Sequence, residues 1–120
     1  MDLKQYVSWK EVEDSCNEIA LWVKKSDINF KGIWAPPRGG LIPGVILSHK
    51  TGLKLFEDPR VRPLLIVDDI ADTGKTLYSF SKLEDVYIAT IFYHKQSSFV
   101  PNKWVYRKTD KWIRYPWELS

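Results

Sequence analysis

Helical and extended hydrophobic patterns alternate along the chain. Behind Ser8 and Glu11, which stand at capping-box spacing, Val12, Cys16, Ile19 and Val23 recur at offsets of three and four, predicting a helix that runs to about Lys25. FKGIWAPP (30–37) predicts a short buried strand that stops at Pro36 and Pro37, which lack the N–H a ladder needs. RGG (38–40) follows as a loop. Residues 41–50 are apolar nearly all round, with Pro43 tolerable in a first turn and Gly52 just past the end, predicting a second, buried helix. LKLFE (53–57) reads as a short strand and DPRVRP (58–63) as a turn or loop. PLLIVDDI (63–70) is an apolar run ending in acids, as a central parallel strand does. Leu77, Phe80 and Leu83 sit at helical spacing and predict a third helix over 75–83, after which DVYIATIFYH (85–94) returns as a strand. KWVYRK (103–108) is a last strand before the aromatic segment KWIRYPWELS (111–120). A helix followed by βαβ units predicts an α/β fold, a mostly parallel sheet flanked by helices, with ligands bound outside the carboxyl ends of its strands.

Composition narrows this picture only a little. The 120 residues carry no repeat, low-complexity run or linker, so residues 1–120 are expected to form one domain. No apolar run approaches the ~20 residues of a membrane span, and the first residues lack the apolar stretch of a secretion signal, so a soluble, cytoplasmic protein without a membrane partner is expected. The single cysteine, Cys16, makes no internal disulfide, leaving the domain to its core or to self-association. With 18 Lys+Arg against 15 Asp+Glu, the charge of +3 favours anionic ligands but does not by itself indicate nucleic acid.

The candidate chemistry lies in LLIVDDIADTGKT (64–76), which sets two adjacent carboxylates and a glycine-containing loop at one strand-to-helix junction. A helix N-terminus flanked by Thr73, Gly74 and Thr76 suits a phosphate, and a carboxylate pair suits sugar hydroxyls or a metal, so together they suggest a phosphorylated sugar. Gly74, Lys75 and Thr76 also match the end of a nucleotide-binding P-loop. The first glycine of that motif would fall at Asp69, however, and a carboxylate does not line a loop that meets phosphates with its backbone.

The same segment resembles the phosphoribosyl pyrophosphate signature of type I phosphoribosyltransferases: a hydrophobic strand, two acids, then D-T-G-x-T. The similarity extends along nearly the whole chain, in the manner of the bacterial xanthine-guanine and archaeal hypoxanthine-guanine enzymes. YVSWKEVE resembles their N-terminal helix start, GIWAPPRGGLIPGVILSHKTGL their pyrophosphate loop and following helix, and DKWIRYPWE their purine-site segment. The resemblance implies a glycosyltransferase that moves a phosphoribosyl group from phosphoribosyl pyrophosphate to a 6-oxopurine. Asp68 and Asp69 would hold the ribose hydroxyls, directly or through Mg²⁺. Asp72 would share the proton of the base, its structural alternative being an N-cap of the third helix. The 5′-phosphate would lie over Asp72, Thr73, Gly74, Lys75 and Thr76, and the pyrophosphate against Arg38 and Gly39, with a cis peptide expected at Pro36-Pro37. Trp112 and Ile113 would meet the purine, Trp117 and Glu118 closing a hood formed by residues 103–120. Purine base, nucleoside monophosphate and further copies of the chain, as dimer or tetramer, are the implied partners.

Two departures qualify the resemblance. The long mobile loop that closes over the substrate in this family is replaced by EDPRVRP (57–63), where Arg60 and Arg62 alternate with Val61 and would point to one side, toward a diphosphate. The lysine expected at the purine O6 is replaced by His94, with Lys95 one residue late; a one-residue bulge would aim Lys95 at the purine, and without it the base preference is open. A non-catalytic nucleotide sensor therefore stands beside the enzyme as a second reading. A nucleic-acid binder using Lys103, Arg107, Lys108, Lys111 and Arg114 is a third, for which a solvated basic face is the simpler explanation.

Overall fold

The computed structural model describes residues 3–118. In chain order its elements are β1 (Lys4–Tyr6), α1 (Trp9–Lys25), β2 (Gly32–Trp34), α2 (Leu41–Thr51), β3 (Leu55–Phe56), β4 (Leu64–Ala71), a single 3-10 turn (Phe80–Lys82), β5 (Val86–Tyr93), β6 (Lys103–Arg107) and β7 (Trp112–Arg114). Five strands form a sheet in the order β3-β2-β4-β5-β6, every pair parallel, while β1 and β7 form a separate parallel pair.

Both helices form as their sequence signals require. The Glu11 N–H donates to Ser8 Oγ at 3.0 Å and the Ser8 N–H to Glu11 Oε1 at 3.1 Å, closing the capping box of α1. Helix α2 ends at Gly52, whose left-handed backbone (φ 77°) lets its N–H reach the Ser48 carbonyl. Val12, Cys16 and Ile19 of α1 pack with Leu47 of α2 over Ile33, Leu65, Val67, Ala89 and Ile91 on one face of the sheet. Burial pushes the Cys16 thiol up to about 12, so this lone cysteine is core and not a nucleophile. On the opposite face Leu64, Ile66, Val86 and Ile88 pack with Leu77. Strand β4 is thus covered on both sides, which is why its sequence is a continuous apolar run and not an alternating one.

The third predicted helix does not form. Residues 75–79 make turns, and only Phe80–Lys82 completes a 3-10 turn. Ser81 explains part of this, because its hydroxyl bonds the Tyr78 carbonyl at 2.5 Å and competes with helical hydrogen bonding in a segment too short to repay nucleation. The helically spaced residues still do core work: Leu77 is buried, and the ring of Phe80 lies 5.5 Å from that of Trp34. The N-terminal segment adds an element that the hydrophobic pattern does not predict. Residues 4–6 are a strand pairing with residues 112–114, closed by hydrogen bonds from the Val7 N–H to the Arg114 carbonyl and from the Trp112 N–H to the Leu3 carbonyl.

Connections leave β2 and β4 in opposite directions, β2 passing through α2 to β3 and β4 passing to β5. This switch point opens a crevice above the carboxyl ends of β2 and β4. Among the described residues no helix is long and apolar enough to cross a membrane.

In the small sheet, Ile113 is buried whereas its neighbour Trp112 is 65% exposed. Ile113→Ala is therefore expected to lower unfolding free energy by about 2–5 kcal/mol, and Trp112→Ala to change it by no more than about 0.5 kcal/mol. Urea denaturation measures both, and equal losses would contradict this division.

Candidate functional site

A cleft of about 380 Å³ occupies the crevice. Pro36, Pro37 and Gly39 from the loop after β2 form one wall, and Asp68, Asp69, Asp72 and the turn from Thr73 to Thr76 form the other, with Leu77 and Phe99 as an apolar border. Consecutive strand residues point to opposite faces, yet the two acids at the end of β4 stay in contact: Asp68 Oδ1 accepts from the Asp69 N–H at 2.8 Å, and their carboxyls interact with each other. On the Asp69 side, Gly39 is obligatory: a Cβ there would lie 2.6 Å from an Asp69 carboxylate oxygen. The C-terminal segment braces the same strand end. The Tyr115 hydroxyl donates to the Asp69 carbonyl at 2.8 Å, and its ring stacks on Trp117 at 4.7 Å, which in turn lies 5.9 Å from Trp9. Tyr115 was not among the expected site residues, because nothing in sequence spacing separates it from the other aromatics of the tail.

The two acids are in an uncomfortable environment. Burial pushes the Asp68 carboxyl up to about 8, with the charge of Asp69 adding to the effect, and burial also holds Asp69 above the ordinary carboxylate range. Burial and the charges of both acids push the Tyr115 phenol up as well. Among the described residues no Lys, Arg or His lies within ion-pair distance of either acid. Nor does any cluster of three or more potential ligands offer a self-sufficient metal cage. Two carboxylates without a cage fit Mg²⁺, which keeps several waters and completes its shell with substrate oxygens.

The turn after Asp72 is rigidly backed. Gly74 takes a left-handed conformation (φ 82°), and a Cβ there would meet the side chains of Ser97 and Ser98 at 2.5–2.6 Å. The Ser98 N–H donates to the Thr73 carbonyl at 2.9 Å. Thr73, Lys75 and Thr76 remain exposed around it. Because no helix follows, any phosphate here would be met by turn N–H groups, hydroxyls and Lys75, without the helix N-terminus that the sequence suggested.

Asp72 is likewise no helix cap. It begins a row of polar residues, one after each of three neighbouring strands: Asp72 after β4, His94 after β5 and Lys108 after β6. Asp72 Oδ1 accepts a hydrogen bond from Gln96 at 3.0 Å, and lies 3.6 Å from His94 Nδ1 and 4.0 Å from Lys108 Nζ.

Other expected residues stand elsewhere. Arg38 is exposed and does not line the cleft; the cis peptide of its loop is Pro37-Arg38, not Pro36-Pro37, a position for which sequence carries no signal. Lys95 is exposed on the loop after β5. Neither the exposed Trp112 nor the core residue Ile113 lines the cleft. Arg60 and Arg62 do not point together at a diphosphate. Arg62 Nη1 donates to the carbonyls of Pro59 and Val61, at 2.6 and 2.8 Å, and Arg60 lies 3.6 Å from Asp58. Pro63 precedes β4, so Arg62 stands at the strand end opposite the acids, roughly 20 Å away along the strand.

Fold and site together define a type I phosphoribosyltransferase, a class of glycosyltransferases, and the comparisons with known proteins agree. A purine phosphoribosyltransferase from Pyrococcus horikoshii superposes with a TM-score of 0.85 at 31% identity, covering 100% of this chain and 97% of that one. The chain belongs to this purine phosphoribosyltransferase family. A xanthine-guanine phosphoribosyltransferase from Vibrio parahaemolyticus is 27% identical over 146 residues, covering 100% of this chain and 92% of its own. A Helicobacter pylori xanthine-guanine-hypoxanthine phosphoribosyltransferase shares the fold with a TM-score of 0.81 at 18% identity, over 95% of this chain and 91% of that one. No family model matches the chain.

A carboxyl held above its unfolded value binds more protons in the folded state, so its contribution to stability falls as pH rises from about 4 to about 8. Asp68→Asn removes this penalty. In the ligand-free protein the melting temperature of Asp68→Asn is expected to exceed the parent's by a margin that grows between about pH 5 and about pH 8. A variant that melts at or below the parent at the higher pH would contradict the burial argument.

Proposed function

We propose that the chain transfers the 5-phosphoribosyl group from phosphoribosyl pyrophosphate to a 6-oxopurine, guanine, xanthine or hypoxanthine, releasing pyrophosphate. The observation that carries this reading is the half-buried Asp68-Asp69 pair beside the Thr73 to Thr76 turn along one wall of the cleft, an arrangement suited to ribose hydroxyls at one end and a phosphate at the other. Asp68 and Asp69 would hold the hydroxyls and a Mg²⁺ ion, which when bound would neutralise the diphosphate and improve it as a leaving group. Asp72, Thr73, Gly74, Lys75 and Thr76 would receive the 5′-phosphate. The loop carrying Arg38 and Gly39 would lie along the diphosphate, Arg38 reaching in from its exposed position. In the transfer a ring nitrogen of the purine forms the new bond to C1′ as the bond from C1′ to the diphosphate oxygen breaks, its electron pair leaving with the diphosphate. The proton released by the base passes to Asp72. Most of the acceleration would come from holding the two reactants in line and from stabilising the leaving group. Such chemistry fits a cytoplasmic enzyme, and we propose a homo-oligomer, dimer or tetramer, as its working form. Backbone contacts from the segment containing Trp112 and Ile113 would close over the purine.

One observation favours a second reading, a non-catalytic nucleotide sensor. The connection at residues 57–63 is bonded to itself and lies at the wrong end of β4 to serve as a lid, so the cleft has no evident shield against water.

Incubation with Mg²⁺, phosphoribosyl pyrophosphate and each of hypoxanthine, guanine, xanthine and adenine, followed by separation of nucleotides, distinguishes the two. Nucleotide products are expected with at least one 6-oxopurine. Asp72→Asn is expected to lower turnover by about 10²- to 10⁴-fold while phosphoribosyl pyrophosphate still raises its melting temperature. Ligand-induced stabilisation without product from any base would overturn the transfer reading in favour of the sensor.

A further inference from the structure

The row Asp72, His94, Lys108 contains more hydrogen-bonding capacity than the protein itself uses. The His94 side chain is only 9% exposed, yet its Nδ1 has no hydrogen-bond partner among the described residues: the Asp72 carboxylate oxygen is 3.6 Å away, beyond hydrogen-bond reach. Its Nε2 faces Asp110 at 3.8 Å, equally too far. Lys108 is 10% exposed, and its ammonium donates to the Thr109 carbonyl at 3.1 Å and stands 4.0 Å from Asp72. An ammonium has three donors, so burying this one with a single hydrogen bond and a distant acid is costly unless a further acceptor arrives. The fold puts these groups side by side for a simple reason. The Ala71, Tyr93 and Arg107 positions are in register across β4, β5 and β6, and the next residue of each strand enters the row.

Asp72 is both a wall of the cleft and the first member of the row. His94 Nδ1 and Lys108 Nζ stand 3.6 and 4.0 Å from Asp72 Oδ1, so a ligand that fills the cleft and extends past Asp72 would meet them. We propose that Lys108, with His94 beside it, is the residue that discriminates an oxo from an amino substituent on the base. The chemistry is one-sided. An ammonium donates and never accepts, so it pairs with a ring carbonyl oxygen and opposes an amino group, while Asp72 supplies the acceptor for an adjacent ring N–H. Lys95, exposed on the loop after β5, takes no part. This inference deepens the proposed function, and it gives the base preference to the strand after the one on which the sequence placed it.

Titration calorimetry with inosine monophosphate, adenosine monophosphate and phosphoribosyl pyrophosphate tests it without requiring turnover. The parent is expected to prefer the inosine nucleotide. Lys108→Met should reduce that preference by about 10- to 100-fold, the worth of a charge-assisted hydrogen bond, while leaving phosphoribosyl pyrophosphate affinity unchanged. Lys108→Arg should restore most of it, and Lys95→Met should change nothing. If Lys108→Met does not fold, Lys108→Gln provides the same comparison. The inference is overturned if the parent shows no preference, if the preference survives loss of the ammonium, or if all three ligands weaken together. Absence of turnover with any base, alongside a Lys108-dependent nucleotide preference, would refute only the transfer reaction and would support the role given to Lys108.

Discussion

Two adjacent carboxyl groups at the end of a buried strand are the constraint around which the rest of the molecule is arranged. Strand β4 must be apolar on both faces to sit at the centre of the sheet, and it then delivers Asp68 and Asp69 to a place where water is scarce. Their mutual repulsion and desolvation oppose folding, and the surrounding structure offsets this without neutralising it. Tyr115 holds the strand end by its carbonyl, Gly39 allows the neighbouring loop to approach the carboxylate, and no basic side chain among the described residues comes within ion-pair distance. A site that leaves two buried acids unpaired is built for a ligand carrying its own cation or its own hydroxyl donors.

The sheet topology explains why such a small domain can carry this site. With β2 and β4 adjacent and their connections diverging, the crevice requires no second domain, only two short loops. Three consecutive parallel strands then place Asp72, His94 and Lys108 in line beyond the acids. The acids and the row beyond them are therefore set by one register, and a slip of any one strand would disassemble both. The pair β1-β7 joins the N-terminal segment to the C-terminal one, next to Tyr115, which bonds the strand end that bears the acids.

Much of this was legible in the residues. The capping box of Ser8 and Glu11, the prolines ending β2 and the apolar run of β4 each carry a local physical signal, and each element formed where that signal lay. The acids and the D-T-G turn were legible for the same reason, since adjacent carboxylates beside a glycine have few purely structural uses. What failed was information that depends on distant partners. Helical spacing at Leu77, Phe80 and Leu83 was real, but the sheet face took up only Leu77 and Phe80, and Leu83 stayed exposed. Residues 4–6 are a strand only because residues 112–114 offer an edge. Arg60 and Arg62 looked free because their partners, the Asp58 carboxylate and the carbonyls of Pro59 and Val61, belong to their own loop, and Lys108 looked like a solvated basic residue because its burial depends on neighbouring strands.

The central claim is that the Asp68-Asp69 pair binds the ribose of phosphoribosyl pyrophosphate together with a divalent cation. Calorimetric titration of phosphoribosyl pyrophosphate into the parent and into the Asp68→Asn, Asp69→Asn double variant, each with and without Mg²⁺, measures this directly. Saturable one-to-one binding by the parent that requires Mg²⁺ and is lost in the double variant is the expected result. Binding by a folded double variant with the parent's affinity and the parent's Mg²⁺ dependence would contradict it.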